Sequence, residues 1–349
     1  MSRRRPTWPE LPVRVRARIE ERLDEPVTSW TSHDTGYSPG PALTLVTATG
    51  RVFVKAADVA AHPVSATLHS REAAVARALP YDLPMPRLRW LLDEDDWVVV
   101  AFEAVDGRTP QVPWVEEDVR AVARLVDVLA GVDAPELLPL MADGSFTGWE
   151  RLAAGERAGL DSYDPWVREN LDRLARIEPT WTAAVAGTTL INGDLRGDNV
   201  LVRDGQALAI DWPYASRGAA FCDLVGWLPS LSIEGGPEPK EMLLSTAVGR
   251  AADPEAVTAY LAAVAGYFVH ESLLPDPRGS RMYGRSSGRR ARSASAGFAN
   301  VSADQLAGAS GRSAAASRPA AAASRSMTRV TPISSRKRVS WLTTTRAPR

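Results

Sequence analysis

Three oxygen-bearing side chains, Asp194, Asn199 and Asp211, stand around two short apolar runs, Val200-Leu201-Val202 and Leu208-Ala209-Ile210. Asp204-Gly205-Gln206 separates the runs, and Asp-Gly between apolar segments is a strong hairpin signal. A hairpin returns its two ends to one place. Asp194 and Asn199 precede the first strand and Asp211 follows the second, so a carboxylate, an amide and a second carboxylate gather at one end of a small unit. Magnesium takes such oxygen donors, usually one or two carboxylates with substrate phosphates completing the shell. The plain alternative is a surface hairpin whose Asp, Asn and Gly are turn formers. That alternative requires three positions and both strands to coincide by chance.

The spacing narrows the chemistry. Protein kinases carry an H-R-D-x-x-x-x-N loop, whose Asp takes the proton of the substrate hydroxyl and whose Asn binds magnesium; a later Asp holds the other magnesium. Here Asn192-Gly193-Asp194 stands in place of H-R-D, Asn199 falls at the matching offset, and Asp211 closes the second apolar run. The stretch Asn192-Gly-Asp-Leu-Arg-Gly-Asp-Asn199 with Ile210-Asp211-Trp212 resembles the aminoglycoside phosphotransferase family, a branch of the protein-kinase-like fold. That family usually reads H-G-D-L-x-x-x-N and then I-D-W or I-D-F. Asn192 replaces the family His, a loop-supporting residue, so the departure bears on the rigidity of the loop more than on its chemistry.

The resemblance implies an α+β, two-lobed protein-kinase-like fold, with a β-rich N-lobe, a mainly helical C-lobe and ATP in the cleft between them. It implies transfer of the γ-phosphoryl group of ATP to a hydroxyl of a small-molecule acceptor, with Mg²⁺ as cofactor. In that scheme Asp194 accepts the hydroxyl proton, and Asn199 and Asp211 hold the metal. Arg196 would neutralise charge on the transferring group, although a solvated loop arginine fits the position equally well. The acceptor stays open among aminoglycosides, choline, homoserine, sugars and other amino alcohols, because fold alone does not choose.

Other positions must then be supplied by an N-lobe. Lysine occurs only at 55, 240 and 337 in a chain rich in arginine, and Lys55 ends Val52-Phe53-Val54. Kinases place a Lys on their third strand to contact the α/β-phosphates and pair with a helix Glu. Glu72, in the Ala-rich helical stretch 70–79, is the partner. A solvated Lys and a solvated Glu are the alternative, which the Asp194 cluster downstream outweighs. Gly36 and Gly40 fit a phosphate-covering loop and an ordinary surface turn about equally. By the resemblance, Phe102, Glu103 and Ala104 form the hinge that holds adenine.

The pattern predicts helices over 9–24, 70–79, 115–132, 166–177 and 253–274, and strands over 42–48, 52–55, 88–92 and 97–102. Asp223 occupies the place of the family's Asp-Leu pair after the metal Asp and is expected to cap backbone groups of the catalytic loop. Cys222 is in apolar company and reads as a small buried residue, not a nucleophile.

At 349 residues the chain is long enough for two lobes, residues 1–104 and 105–275. One cysteine excludes an intrachain disulfide and suits a cytoplasmic location. The N-terminus lacks an apolar signal region and no run approaches a membrane span, so no membrane partner is expected. Net charge is −1, yet from Arg281 onward Asp304 is the lone acid among many arginines. Residues 276–349 therefore read as a basic Ser/Ala/Arg tail, disordered or frameshifted. The tail lacks the aromatic interleaving of a nucleic-acid arm, which argues against that partner. A pseudokinase-like nucleotide-binding or interaction module without turnover is the alternative function.

Overall fold

The computed structural model describes residues 5–33, 39–94, 96–140, 146–155 and 159–274. The tail from 276 onward and Gly36 lie outside the described residues. Helix α1, Val13–Leu23, comes first, and strands β1 (Ser29–Ser32), β2 (Ala42–Val46) and β3 (Arg51–Asp58) follow. Helix α2, Pro63–Ala78, leads to β4 (Leu88–Glu94) and β5 (Trp97–Glu103). The five strands form one antiparallel sheet in the order β1-β2-β3-β5-β4.

Alternation along β3 sorts its side chains to two faces. Val52, Val54 and Ala56 pack with Val15 and Ile19 of α1. Phe53 and Ala57 pack on the other side, against Ala73 and Ala66 of α2. Lys55 shares that second face, which is why it reaches a glutamate on α2. The expected helix over 9–24 shortens, because Trp8–Glu10 forms a separate 3₁₀ turn and Pro12 caps α1. Helix α2 begins seven residues earlier than the pattern indicates, with Pro63 at its first position, where a missing N–H is harmless.

After Glu103 the chain becomes mainly helical. Helix α3 (Glu116–Leu129) is followed by α4 (Gly148–Ala154), α5 (Pro165–Glu169), α6 (Leu171–Ile177) and α7 (Trp181–Ala184). The helix expected over 166–177 is thus two helices, interrupted where Asn170 adopts φ −105, ψ 8. Two short strands and a hairpin carry the loops: β6 (Thr189–Ile191), β7 (Val200–Arg203), β8 (Gln206–Ala209) and β9 (Ser216–Gly218). Strand β6 pairs with β9, and β7 with β8. The β7–β8 turn places Asp204 at φ 52 and Gly205 at φ 71, as a two-residue primed turn requires.

Helices α8 (Cys222–Ile233), α9 (Pro239–Ser245), α10 (Ala247–Ala251) and α11 (Pro254–Leu273) complete the described chain. Asp253 caps α11 by accepting from the Glu255 N–H at 3.1 Å. Two cores hold this lobe. One centres on α11 with α4, α6 and α7; the other joins α3, α8 and the hairpin. The α4–α11 crossing depends on glycine: a Cβ on Gly148 would stand 2.0 Å from the Gly266 carbonyl oxygen. Among the described residues no helix is long and apolar enough to cross a membrane.

Candidate active site

A cleft of about 750 Å³ is lined from both lobes. At its centre Lys55 Nζ donates to Glu72 at 2.9 and 3.0 Å and to Asp211 Oδ1 at 3.0 Å. Burial opposes the charge on Lys55, but Asp211 and Glu72 outweigh burial and hold its pKa above the usual lysine range. Burial raises the Glu72 carboxyl, with Lys55 opposing and Asp211 adding to the rise. Burial also pushes on Asp211, yet Lys55 prevails and keeps it below the usual carboxylate range. Glu72 reaches further, since its Oε1 accepts from the Trp212 backbone N–H at 3.3 Å. One glutamate on α2 therefore holds both the strand lysine and the backbone next to Asp211. Asp211 itself adopts φ 65, a left-handed conformation that Asp tolerates better than bulkier residues.

The loop after β6 carries Asp194. Asp223, at the start of α8, accepts from the Asn192 N–H at 2.7 Å and the Gly193 N–H at 3.0 Å. Burial raises Asp223 to about 6, those two N–H groups oppose the rise, and the charge of Asp194 adds to it. The expectation that Asp223 caps this loop agrees with the geometry. Gly193 has φ 83, and a Cβ there would meet the Tyr214 carbonyl oxygen at 2.7 Å, so only glycine fits. Asn192 is fully buried. Its Oδ1 accepts from the Asp194 N–H at 3.1 Å, and its Nδ2 donates to the Asp211 carbonyl at 3.5 Å.

Asn199 ends a single 3₁₀ turn, Gly197–Asn199, just before β7. Its Nδ2 donates to the Asp194 carbonyl at 2.9 Å and to Asp194 Oδ2 at 3.0 Å. Arg196 is buried with its Nε 3.4 Å from Asp194 Oδ1 and 3.0 Å from Asp198 Oδ1. The solvated arginine that the sequence left open is therefore not what the fold contains. Asp194, Arg196, Asn199, Asp211, Lys55 and Glu72 all line the one cleft.

Phe102, Glu103 and Ala104 line its other end. The Glu103 N–H donates to the Arg87 carbonyl at 2.8 Å, so this donor is already engaged by β4's side of the sheet. Gly40 serves packing: a Cβ there would lie 2.0 Å from the Ala56 carbonyl oxygen. The segment after Ala104 is stapled to the hairpin, because Arg108 exchanges backbone hydrogen bonds with Val202 at 2.7 and 3.1 Å. The Arg108 guanidinium also grips the buried Asp118 at 2.7 and 2.8 Å. Neither residue stood out in the sequence, since an arginine beside a loop glycine carries no spacing signal.

A family model described as the phosphotransferase enzyme family (APH) matches residues 41–262. The chain belongs to the phosphotransferase enzyme family. Solved structures agree on the fold. A Ralstonia eutropha JMP134 protein assigned as an aminoglycoside phosphotransferase gives a TM-score of 0.54 at 16% identity, over 83% of this chain and 97% of its own. Choline kinase LicA from Streptococcus pneumoniae gives 0.52 at 18% identity, over 82% and 98%. A choline/ethanolamine kinase family protein from Mesorhizobium loti gives 0.51 at 15% identity, over 83% and 93%. No curated protein matches the sequence.

For a phosphotransferase family member the donor set is chemically apt. Asn199 and Asp211 offer hard oxygen donors, and no cluster of three His, Cys, Asp or Glu fit to hold a metal occurs among the described residues. Amide and carboxylate oxygens of this kind fit a hard divalent cation that takes its remaining ligands from phosphate oxygens and water. The family member also contains lining residues that sequence reasoning missed. His69 of α2 is buried on the cleft with no hydrogen-bond partner at Nε2 among the described residues. Burial first, then Lys55, lowers it to about 3, so it is neutral. Phe146, Tyr260 and Tyr267 form an aromatic wall. Of these, Tyr260 and Tyr267 were detectable as an i, i+7 pair on one face of α11.

Proposed function

We propose that this chain transfers the γ-phosphoryl group of ATP to a hydroxyl of a small molecule. Residues 1–104 form the nucleotide lobe, and residues 105–275 carry the catalytic loop and the acceptor. The observation that carries the proposal is the 3.0 Å contact between Lys55 and Asp211 in the cleft that Asp194 and Asn199 also line.

Lys55, fixed by Glu72, places its ammonium against the phosphate chain. Phe102, Glu103 and Ala104 flank the adenine. Asn199 and Asp211 would hold magnesium, which when bound would supply positive charge against the phosphate oxygens. Asp194 takes the hydroxyl proton of the acceptor, and the Asn199 amide and Arg196 fix the direction of its carboxylate. Arg196 lowers the charge on the transferring group. Positioning and preorganised electrostatics supply most of the acceleration, since the loose transition state asks for little covalent help.

An inactive nucleotide-binding module draws support from the tail past residue 275, which lies outside the described residues, and from Asn192. That side chain instead bridges Asp194 and the Asp211 backbone, the work expected of a loop support, and this favours turnover. The single cysteine is in keeping with a cytoplasmic location. The test is a screen of ADP release with Mg·ATP over hydroxylated metabolites and aminoglycosides, with phosphorylated product identified by mass. Acceptor-dependent ADP release is expected; binding of Mg·ATP without turnover on any acceptor would favour the inactive module.

A further inference from the structure

We infer that the acceptor is an alcohol on a bulky apolar skeleton, aromatic or alicyclic, that carries no array of positive charges; the inference rests on the phosphotransferase reading above. Beyond Asp194 the cleft runs between α8 and α11, where Phe146, Pro229, Tyr260, Tyr267 and Phe268 line it. The rings form one continuous array: Phe146 to Tyr267 5.7 Å, Phe146 to Tyr260 6.1 Å and Tyr267 to Phe268 5.4 Å between centroids. Such a wall rewards apolar surface in proportion to the area it removes from water.

Among the described residues, the lining carboxylates other than Glu103 are engaged. Glu72 and Asp211 hold Lys55, and Asp198 lies against Arg196. Asp223 takes two backbone N–H groups, and Asp194 takes Asn199 beside Arg196. Glu103 lies at the hinge, on the nucleotide side. A polyamino sugar would lose hydration against aromatic rings with no unengaged carboxylate among the described residues on this side of the cleft to pair its ammonium groups, which is costly. Choline, a small cation, offers this wall far less apolar surface than a fused ring does.

The second observation is Gly226, inside α8 and on the same lining. A Cβ built there meets nothing within 4 Å. Glycine inside a helix forgoes helix propensity, so the gain is space on the cleft side. The missing side chain leaves room for a skeleton as wide as a fused ring.

The test uses the full chain with Mg·ATP and three probes: 2-(1-naphthyl)ethanol, choline and kanamycin, with phosphorylated product measured by mass and ³¹P NMR. The naphthyl alcohol should be phosphorylated with kcat/KM at least about tenfold above choline, and kanamycin should give no product. Gly226→Phe should lower kcat/KM for the naphthyl alcohol by at least about a hundredfold while leaving the Kd of Mg·ATP within about twofold. Gly226→Ala should fold as the wild type does and keep the Kd. Preference for kanamycin or choline would overturn the acceptor class and leave the phosphotransferase reading standing. So would absence of naphthyl product from a protein that binds Mg·ATP, or full activity of Gly226→Phe. Failure to bind Mg·ATP at all would overturn the reading beneath it.

Discussion

Lys55 Nζ and Asp211 Oδ1 are 156 positions apart in the chain and 3.0 Å apart in space. The contact joins the third strand of the sheet to the end of the hairpin, so one ion pair sets the width of the cleft at its centre. It also makes Asp211 the natural place to test the metal. A ligand at a hundred times its Kd stabilises the folded state by about 2.7 kcal/mol, so Mg·ATP at that excess should raise the wild-type Tm by several degrees. Asp211→Ala should show little of that rise at the same concentration. Equal rises in the two proteins would remove the metal role from Asp211.

Lys55→Met should harm stability as well as nucleotide binding. Read from the sequence, this lysine at a strand end is replaceable without cost to the fold. In the structure it is the counter-charge of Glu72, which is only 3% exposed. Removing one partner of a buried pair costs about 3 kcal/mol or more, because the other charge stays behind. The loss should shrink when the pH is lowered, since protonation removes the stranded charge on Glu72. Adding Glu72→Gln should restore part of the Tm and none of the Mg·ATP affinity. Urea denaturation of the three proteins decides the matter; an unchanged midpoint for Lys55→Met would mean that the pair is not buried as described.

Asp223 predicts opposite pH trends for stability and for activity. Burial raises its carboxyl from 3.8 to about 6. The folded protein therefore holds this proton more tightly than the unfolded one. The stability that Asp223 contributes is fullest below pH 3.8, falls as pH rises to about 6, and is level above that. The span corresponds to about 3 kcal/mol. Activity should run the other way, since the ionised carboxylate accepts from Asn192 and Gly193 and holds the Asp194 loop. The pH profile of kcat should show an acid limb near 6 that Asp223→Asn abolishes along with most activity. A carboxyl ¹³C titration midpoint near 4 for Asp223 would contradict this account.

Gly148→Ala should destabilise the helical lobe while sparing nucleotide binding. A Cβ at that position would lie 2.0 Å from the Gly266 carbonyl, a backbone atom that cannot turn aside. Helices α4 and α11 must move apart, and overpacking of this kind costs about 1–3 kcal/mol. Calorimetry should show the lowered Tm, with the Kd of Mg·ATP measured below that temperature unchanged. An unaltered Tm would mean that the two helices do not cross so closely.

The gathering of the candidate site residues was the most legible part of the sequence. Asp194, Asn199 and Asp211 lie within one short stretch, so spacing and an Asp-Gly turn sufficed to gather them, and the family resemblance added Asp223. Lys55 and Glu72 could be paired because lysine is scarce and the helix is Ala-rich. The sheet was readable in outline, since its strands alternate or run apolar. What stayed hidden depends on contacts distant in sequence. The Arg108–Asp118 grip joins a loop to a helix face that reads as solvent-facing charge. The aromatic wall draws Phe146 from one segment and Tyr260 and Tyr267 from another. Helix α8 escaped notice because it is buried nearly all round, which leaves no period of apolar and polar residues to detect.

The central claim is that Asp194 takes the acceptor proton, and Asp194→Asn tests it most directly. The variant keeps Asn199, Asp211 and Lys55, so it should fold and bind Mg·ATP as the wild type does. Its amide cannot accept the proton. General-base catalysis contributes about 10²–10⁴-fold, so kcat on the acceptor should fall at least about a hundredfold, with KM changing much less. Wild-type kcat from Asp194→Asn would contradict the mechanism proposed for this site.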